Sequence, residues 1–257
     1  FLRIMKEFES QGHGYMDPTE RIIAAIDGRE TDRVPTFSYY LDYWPVQQVL
    51  GRPIISTTTL IMNPLSQLVL NRWGKKLNRL LLYPSLDTMM EKSIEAAAVL
   101  GFDSVMGLFE RSFIYWDGKT LARTTGSFYK LVDDGHGNVW YMYKGPAITS
   151  PKAFDEWPHF PDLDRVAHET FVFFKKMLSK YGNRICILGQ SAFGIHESIL
   201  WALGFENMAR FIVKEPKLIK RFIDLLEDYI MRTNMAMMDA GIRVIFDGDD
   251  FAHKTGP

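Results

Sequence analysis

The sequence predicts an α/β protein in which helices cover a parallel β-sheet. Capped amphipathic helices that end at a glycine occur four times in the 257 residues, and a short apolar segment follows each. Strands that are apolar on both faces and alternate with helices are typical of parallel sheets buried between helices. The first strand lacks the glycine-rich turn of a doubly wound nucleotide-binding sheet, which favours a (β/α) barrel.

The four helix–strand units follow one another along the chain. The first helix has Asp17 as its N-cap, Pro18 and Glu20 in its first turn, and Gly28 at its end. Three more helices are predicted at about 85–100, 166–181 and 216–240, each directly before a glycine. The strands that follow these four helices are predicted at 34–40, 102–106, 185–188 and 242–246.

One insertion interrupts this alternation. Residues 120–145 alternate in polarity around the turn-forming residues 133–138 and predict a β-hairpin. Because no linker-like or low-complexity segment occurs, residues 1–257 are predicted to form one domain. A complete barrel has eight βα units. We therefore expect this chain to hold about the first four of them and to be truncated at its C-terminus.

Composition narrows the class of protein. A formal net charge of −1 argues against nucleic-acid or membrane-surface partners, which require a clustered positive field. The single cysteine, Cys186, excludes an internal disulfide framework and a Cys-rich zinc module within this chain. With no apolar run of spanning length and no secretory leader, a cytoplasmic protein is expected. A homodimer is one assembly that the sequence leaves open.

Barrel topology places the chemistry at the carboxyl ends of the strands. The side chains that follow the four predicted strands there are Tyr39, Tyr40 and Trp44; Glu110; Gln190 and His196; and Asp247, Asp249, Asp250, His253 and Lys254. Carboxylates crowded as in 247–250 need a cation, a metal or a raised pKa, which indicates a substrate-orienting or metal-linked site.

Each of these candidates also has a structural interpretation. The aspartates could cap free N–H groups of the next helix along the chain, and Glu110 could form an ion pair with its neighbour Arg111 instead of serving as general acid or base. The aromatic side chains at 39–44 could lie in the core instead of lining a pocket. His196 lacks the second histidine of a zinc-protease helix, so a structural histidine is the alternative to a substrate-orienting one.

Several segments, in order along the chain, resemble the uroporphyrinogen decarboxylase superfamily. They are TERIIAAIDG at 19–28, DRVP at 32–35, GNVW at 137–140, GFEN at 204–207, EP at 215–216 and DDFAHKTGP at 249–257. The resemblance implies a (β/α)8 barrel. It also implies one of two activities: cofactor-free decarboxylation of uroporphyrinogen, or zinc-dependent methyl transfer involving a corrinoid protein.

Departures from the decarboxylase pattern favour the methyltransferase branch. The arginine-bearing segment that holds the substrate carboxylates in decarboxylases reads SYYLDY here, at 38–43. Glu110 stands seven residues after Asp103, where the decarboxylases carry an aspartate. The resemblance thus implies methyl transfer from a small methoxylated or methylated donor to a corrinoid protein. A decarboxylase-like lyase and a non-catalytic binding module are the alternatives.

If the chain is such a methyltransferase, each candidate residue is expected to act either in catalysis or in substrate binding. Glu110, Asp249 and Asp250 are predicted to be catalytic. The predicted substrate-binding residues are Tyr39, Tyr40, Trp44, Gln190, His196, Asp247, His253 and Lys254. Zinc is expected from the resemblance alone, with ligands beyond Pro257, because the His-x-Cys motif of the methyltransferases does not occur here. The corrinoid is expected on a partner protein, and a decarboxylase would need no cofactor.

Overall fold

The computed structural model describes residues 15–54, 61–77, 80, 82–108, 111–133, 139–190 and 194–249. In this part of the chain, helices cover a short parallel sheet. The segment of sequence between the second and third strands of this sheet forms a separate antiparallel sheet. The prediction of an α/β protein with a parallel sheet is confirmed. The architecture is compatible with part of a barrel.

The helices and strands are numbered in chain order. The helices are α1 Pro18–Ile26, α2 Tyr43–Leu50, α3 Pro64–Leu77, α4 Tyr83–Leu100, α5 Pro151–Asp155, α6 Leu163–Tyr181, α7 Ile195–Leu203, α8 Phe205–Lys214 and α9 Pro216–Ala240. The strands are β1 Phe37–Ser38, β2 Ser104–Leu108, β3 Phe113–Asp117, β4 Thr120–Arg123, β5 Ser127–Asp133, β6 Val139–Pro146 and β7 Cys186–Gln190. Among the described residues, no helix combines the length and apolar character needed to cross a bilayer.

The helix boundaries follow from the capping residues in the sequence. The Asp17 carboxylate accepts the backbone N–H of Thr19 at 2.8 Å and begins α1. Gly101 and Gly241 end α4 and α9 with φ of 81° and 109°, a left-handed conformation that glycine adopts without steric cost. These local signals explain why the sequence alone located four of the helices.

The parallel sheet has the strand order β1–β2–β7. Strands β2 and β7 pair in register from Ser104 with Cys186 to Leu108 with Gln190. On the far side of β7, Ile245 forms a parallel bridge with Gly189, whose backbone bonds Val244 and Phe246 at 2.9 Å each. The chain at 244–246 therefore occupies the position of a fourth parallel strand.

The first predicted strand is shorter than the sequence suggested. Its apolar run covers 34–40, whereas β1 contains only Phe37 and Ser38. Pro35 has no backbone N–H, and the N–H of Thr36 bonds the Asp103 carboxylate at 2.8 Å. The hydrogen bonds of a regular strand therefore begin only at Phe37.

The core lies on both faces of the parallel sheet. On one face Val105 and Ile187 pack with Phe174 of α6 and Met237 of α9. Gly107 makes this close packing feasible, because a Cβ there would lie 2.8 Å from Ile187 Cγ2. On the opposite face Cys186 and Leu188 contact Ile22 of α1.

The inserted sheet is a four-stranded antiparallel meander in the order β3–β4–β5–β6. The segment predicted as a hairpin at 120–145 contains β4, β5 and most of β6, and β3 precedes it. Strands β5 and β6 pair as the two arms of that hairpin, and residues 134–138 of its turn lie outside the described residues. The Tyr143 hydroxyl donates to the Trp201 carbonyl at 3.0 Å and fastens the meander to α7.

Candidate functional site

The carboxyl-terminal edge of the parallel sheet brings together predicted residues that are far apart in sequence. Tyr39 follows β1, Gln190 is the last residue of β7, and Asp247 and Asp249 follow the bridge at Ile245. Because all these strands are parallel, their ends meet at one edge. We call the group formed by Tyr39, Gln190, Phe246, Asp247 and Asp249 the sheet-edge site.

An aromatic and amide pair lies at the centre of this site. The Tyr39 hydroxyl donates to Gln190 Oε1 at 3.3 Å. Phe246 packs edge-on against the Tyr39 ring, with 6.4 Å between ring centroids. The Gln190 side chain is buried, whereas the two rings are about 40% exposed. The site thus offers a fixed carboxamide beneath accessible rings, suited to a flat or apolar ligand with a hydrogen-bonding atom.

Asp247 is the carboxyl group of the site that solvent can reach. Partial burial raises the pKa of Asp247 above its ordinary value, and the neighbouring charge of Asp249 raises it further. A carboxyl group in this environment keeps its proton to a higher pH than an aspartate with no neighbouring charge does. Asp247 is therefore a candidate for proton transfer at this edge.

Asp249 binds the amino terminus of α7. Its carboxylate accepts the backbone N–H groups of His196 at 2.9 Å and Glu197 at 2.8 Å. The N-cap of this helix is Gly194, which has no side chain to serve as acceptor. A Cβ on Gly194 would lie 2.2 Å from Asp249 Cγ, so glycine is required where the carboxylate approaches.

This contact joins the loops that follow the third and fourth parallel strands. The Gly194 N–H also donates to the Gly248 carbonyl at 2.9 Å. His196 lies beside the same carboxylate, with Nδ1 3.9 Å from Asp249 Oδ1. The sequence analysis did not predict this contact; the local signal that bears on it is the glycine at the N-cap of α7, which leaves the first N–H groups of that helix without a side-chain acceptor of its own.

Of the remaining aromatic candidates, Tyr40 contacts the sheet-edge site through Tyr39, and Trp44 lies in the helix that follows. The Tyr40 and Tyr39 ring centroids are 5.7 Å apart, and burial raises the pKa of the Tyr40 hydroxyl. Trp44 lies in the first turn of α2 with about half of its surface exposed. Asp42 begins this helix by accepting the Tyr43 N–H at 2.6 Å. The structure therefore places all three predicted aromatic residues next to β1, with their rings at least partly exposed.

An ion cluster that sequence analysis did not identify lies at the opposite end of the sheet. The fully buried Arg21 binds Asp32 and Asp103, and Arg33 binds Asp103 at 2.5 Å. Thr36 donates both its N–H and its hydroxyl to the same Asp103 carboxylate. Three of these residues belong to the segments 19–28 and 32–35 that carry the family resemblance. Those segments therefore hold a structural cluster away from the sheet-edge site.

Comparison with known proteins gives a similar fold and no family. No protein-family model matches the chain, and no curated protein matches it. The chain is similar to the structure of a methyltransferase from Methanosarcina mazei, with 17% sequence identity and a TM-score of 0.53. The two proteins share a fold. The alignment covers 91% of this chain and 59% of the methyltransferase, so the chain spans less than two thirds of that protein's length.

Four predicted site residues lie outside the described residues: Glu110, Asp250, His253 and Lys254. The neighbour of Glu110 is described. Arg111 donates to Asp87 of α4 at 2.8 Å and to Glu169 of α6 at 2.9 Å, and its guanidinium lies over the Tyr83 ring. Arg111 thus connects the entry to the meander with two helices.

The described residues do not form a metal site. Nowhere among them do three His, Cys, Asp or Glu side chains come together to hold an ion. Cys186 lies buried within β7, where burial raises the pKa of its thiol to about 11 and keeps it protonated near neutral pH. The zinc that the resemblance implies therefore finds no ligand set in this part of the chain.

Proposed function

We propose that the protein is a methyltransferase that moves a methyl group from a small methoxylated or methylated donor to a corrinoid protein. The fold shared with the Methanosarcina mazei methyltransferase over 91% of this chain carries the proposal. The sheet-edge site supports it, because its described groups are aromatic rings, a carboxamide and carboxyl groups. Such groups suit a small, mostly apolar donor better than a polyanion, which requires cationic side chains.

The donor is proposed to lie over the exposed faces of Tyr39 and Phe246. The buried Gln190 amide nitrogen is then the group that donates a hydrogen bond to the donor's heteroatom, because its Oε1 already accepts from Tyr39. Tyr40 and Trp44 are proposed to cover the donor from the β1 side and to exclude water. Binding in this pose directs the methyl group away from the sheet, toward the partner.

Methyl transfer to the corrinoid breaks the bond between the methyl carbon and the donor's heteroatom, which must then acquire a proton. Asp247 is proposed to supply this proton as general acid, because its exposed carboxyl group lies at the same edge as the proposed donor position and its pKa is raised by partial burial and by Asp249. The corrinoid substrate, in its Co(I) state, supplies the electron pair of the new bond to the methyl carbon. Asp249 is proposed to hold the Asp247 loop against α7.

Zinc would act as a Lewis acid on the same heteroatom. The described residues offer it no ligand set. Catalytic roles for Glu110 and Asp250 and substrate contacts for His253 and Lys254 remain predictions.

The experiment mixes the purified protein with cob(I)alamin and a set of methyl donors that includes methoxylated benzenes. Formation of methylcobalamin, followed by its absorption spectrum, is the expected result. The Asp247→Asn variant should lower kcat by about 100-fold, within the range that general acid catalysis contributes. Asp239→Asn, an exposed change on α9, is the matched control and should leave the rate unaltered.

Two outcomes would contradict the proposal. One is the absence of methyl transfer from every donor tested, with zinc present and with zinc omitted. The other is conversion of uroporphyrinogen to coproporphyrinogen, which would assign the site to decarboxylation. Equal rates for wild type and Asp247→Asn would be compatible with methyl transfer but would show that Asp247 is not its general acid.

A further inference from the structure

The solvent-facing side of α3 is apolar, which is unusual for an exposed helix face. Leu65, Leu68, Val69 and Trp73 follow the helical spacing i, i+3, i+4, i+8, and each is at least 41% exposed. The opposite side of α3 is the buried one, where Leu70 packs with Phe113 and Tyr115 of the meander. The helix is thus apolar on two faces, and one of them is already used by the core.

The charge around this helix is strongly asymmetric. Residues 43–86 contain the basic residues Arg52, Arg72, Lys75, Lys76 and Arg79 and no Asp or Glu, in a chain whose net charge is −1. Four of the five stand between 72 and 79, in and directly after α3. Arg72 is exposed, lies over the Trp73 ring at 5.7 Å, and pairs with no carboxylate among the described residues. Arg52 pairs with Glu95 at 2.7 Å, so Arg72 is the described basic side chain on the apolar stripe, and the other three are placed near it by the sequence alone. The net charge of the whole chain, which argued against a membrane surface, does not register this local run of basic residues.

A second exposed apolar stripe, on α9, lacks this charge. Met231, Met235 and Met238 are each more than half exposed there. Arg232 beside them binds Asp164 at 2.5 Å and Asp228 at 2.7 Å. Arg232 is thus neutralised by carboxylates of the protein itself, whereas Arg72 of α3 has no carboxylate partner among the described residues.

We infer that the outer face of α3, formed by Leu65, Leu68, Val69, Arg72 and Trp73, binds an anionic lipid surface. Leucine and tryptophan beside long basic side chains are the composition of helices that lie in the membrane interface. In that position the apolar side chains enter the acyl boundary, and the basic groups extend to the phosphates. A convex helix surface needs no complementary groove for this, since lipid adapts its shape. Lying on a membrane in this way requires no spanning helix, and it does not depend on the proposed methyltransferase activity.

The experiment is co-sedimentation of the purified protein with vesicles of phosphatidylcholine alone or mixed with phosphatidylserine. The wild type should bind the mixed vesicles, bind the neutral ones weakly or not at all, and dissociate as NaCl is raised. The Leu68→Ser/Arg72→Glu variant should bind the mixed vesicles about tenfold more weakly or less. Met235→Ser/Lys220→Glu makes the same change of charge and polarity on α9 and should bind as wild type does.

Circular dichroism must show both variants folded, as expected for exposed positions. Equal binding of the α3 variant and the wild type would overturn the inference, as would failure of the wild type to bind the mixed vesicles. Concentration-dependent dimers that the α3 variant abolishes, without vesicle binding, would assign this face to a contact between copies and overturn it too.

Discussion

Asp249 shows how a single side chain can connect two distant loops. It follows the last described strand position, yet it caps a helix that begins more than fifty residues earlier, through N–H bonds of 2.9 and 2.8 Å. The sequence left the role of Asp249 open between chemistry and capping of the next helix along the chain, whereas the helix that it caps precedes it. The structure shows the capping contact, and a role in catalysis beyond it stays a prediction.

The first prediction concerns this cap. Asp249→Ala should lower the free energy of unfolding by about 1 to 2 kcal/mol, because two helix N–H groups lose a nearly buried acceptor. Asp249→Asn keeps one acceptor oxygen and should therefore lower the free energy of unfolding less than Asp249→Ala does. Chemical denaturation measures both changes, with the exposed Asp239→Ala as control. Equal midpoints for Asp249→Ala and wild type would show that the cap does not contribute.

At the scale of the element, helices with local signals were predictable and non-local pairings were not. Asp17, Pro18 and Gly101 act on their own helices, so their neighbours in sequence suffice to locate the helix ends. The meander was only partly predicted, because β3 and β4 carry no turn motif as strong as residues 133–138. The strand predicted at 242–246 pairs with β7 only through a single bridge at Ile245. This pairing depends on packing across the sheet, which the local sequence does not encode.

The sheet-edge site likewise contains features that the sequence could predict and contacts that it could not. Sequence order and the barrel rule were enough to bring Tyr39, Gln190 and Asp247 to one edge. They could not show that Phe246 completes the aromatic pair, because its contact with Tyr39 spans the whole sheet. Arg111 was considered only as a partner of its neighbour Glu110, whereas the structure pairs it with Asp87 and Glu169 on two helices.

The second prediction tests how Arg111 attaches the meander to these helices. Arg111→Met keeps the aliphatic part of the side chain and removes both ion pairs. It should cost about 1 to 3 kcal/mol of stability, less than a fully buried pair, because Asp87 and Glu169 remain partly hydrated. Denaturant titration provides the measurement.

Arg221→Met is the matched control for this change. Arg221 also binds an aspartate, Asp155 at 2.7 Å, and lies over an aromatic ring, but it is half exposed. Its loss should cost no more than about 0.5 kcal/mol. Similar costs for the two variants would refute the view that burial of Arg111 makes the difference.

At the scale of the whole molecule, the two ends of the parallel sheet differ in character. The amino-terminal end holds the ion cluster of Arg21, Asp32, Asp103 and Arg33, which joins α1 to β2 across 82 residues. The carboxyl-terminal end holds rings, an amide and carboxyl groups with open faces. Strong mutual pairing suits a stabilising end, and accessible groups suit a binding end.

The third prediction follows from the charge on that stabilising end. The hydrogen bonds from Arg21 lower the pKa of Asp32 from its ordinary 3.8 to about 2. A lowered pKa stabilises the fold above the ordinary value and loses this effect as the pH falls through the folded value. At about 1.4 kcal/mol for each pH unit, Asp32 should contribute about 2 kcal/mol at neutral pH.

Asp32→Asn should therefore be less stable than wild type at neutral pH, and the difference should shrink as the pH falls from about 4 toward about 2. Unfolding free energies measured across this range test it. The exposed Asp27→Asn, which removes a surface pair with Arg29, serves as control. A difference between Asp32→Asn and wild type that does not change with pH would contradict the prediction.

The placement of the meander between β2 and β7 also has a consequence for how the chain folds. Each meander strand pairs with its neighbour in sequence, so its loops are short and close at little entropic cost. The pairing of Ser104 with Cys186 closes a loop that contains the entire meander. We expect the antiparallel sheet to form early and the parallel sheet to form around it. The surface proposed to bind substrate, built across the ends of the parallel strands, is then among the last parts of the molecule to become complete.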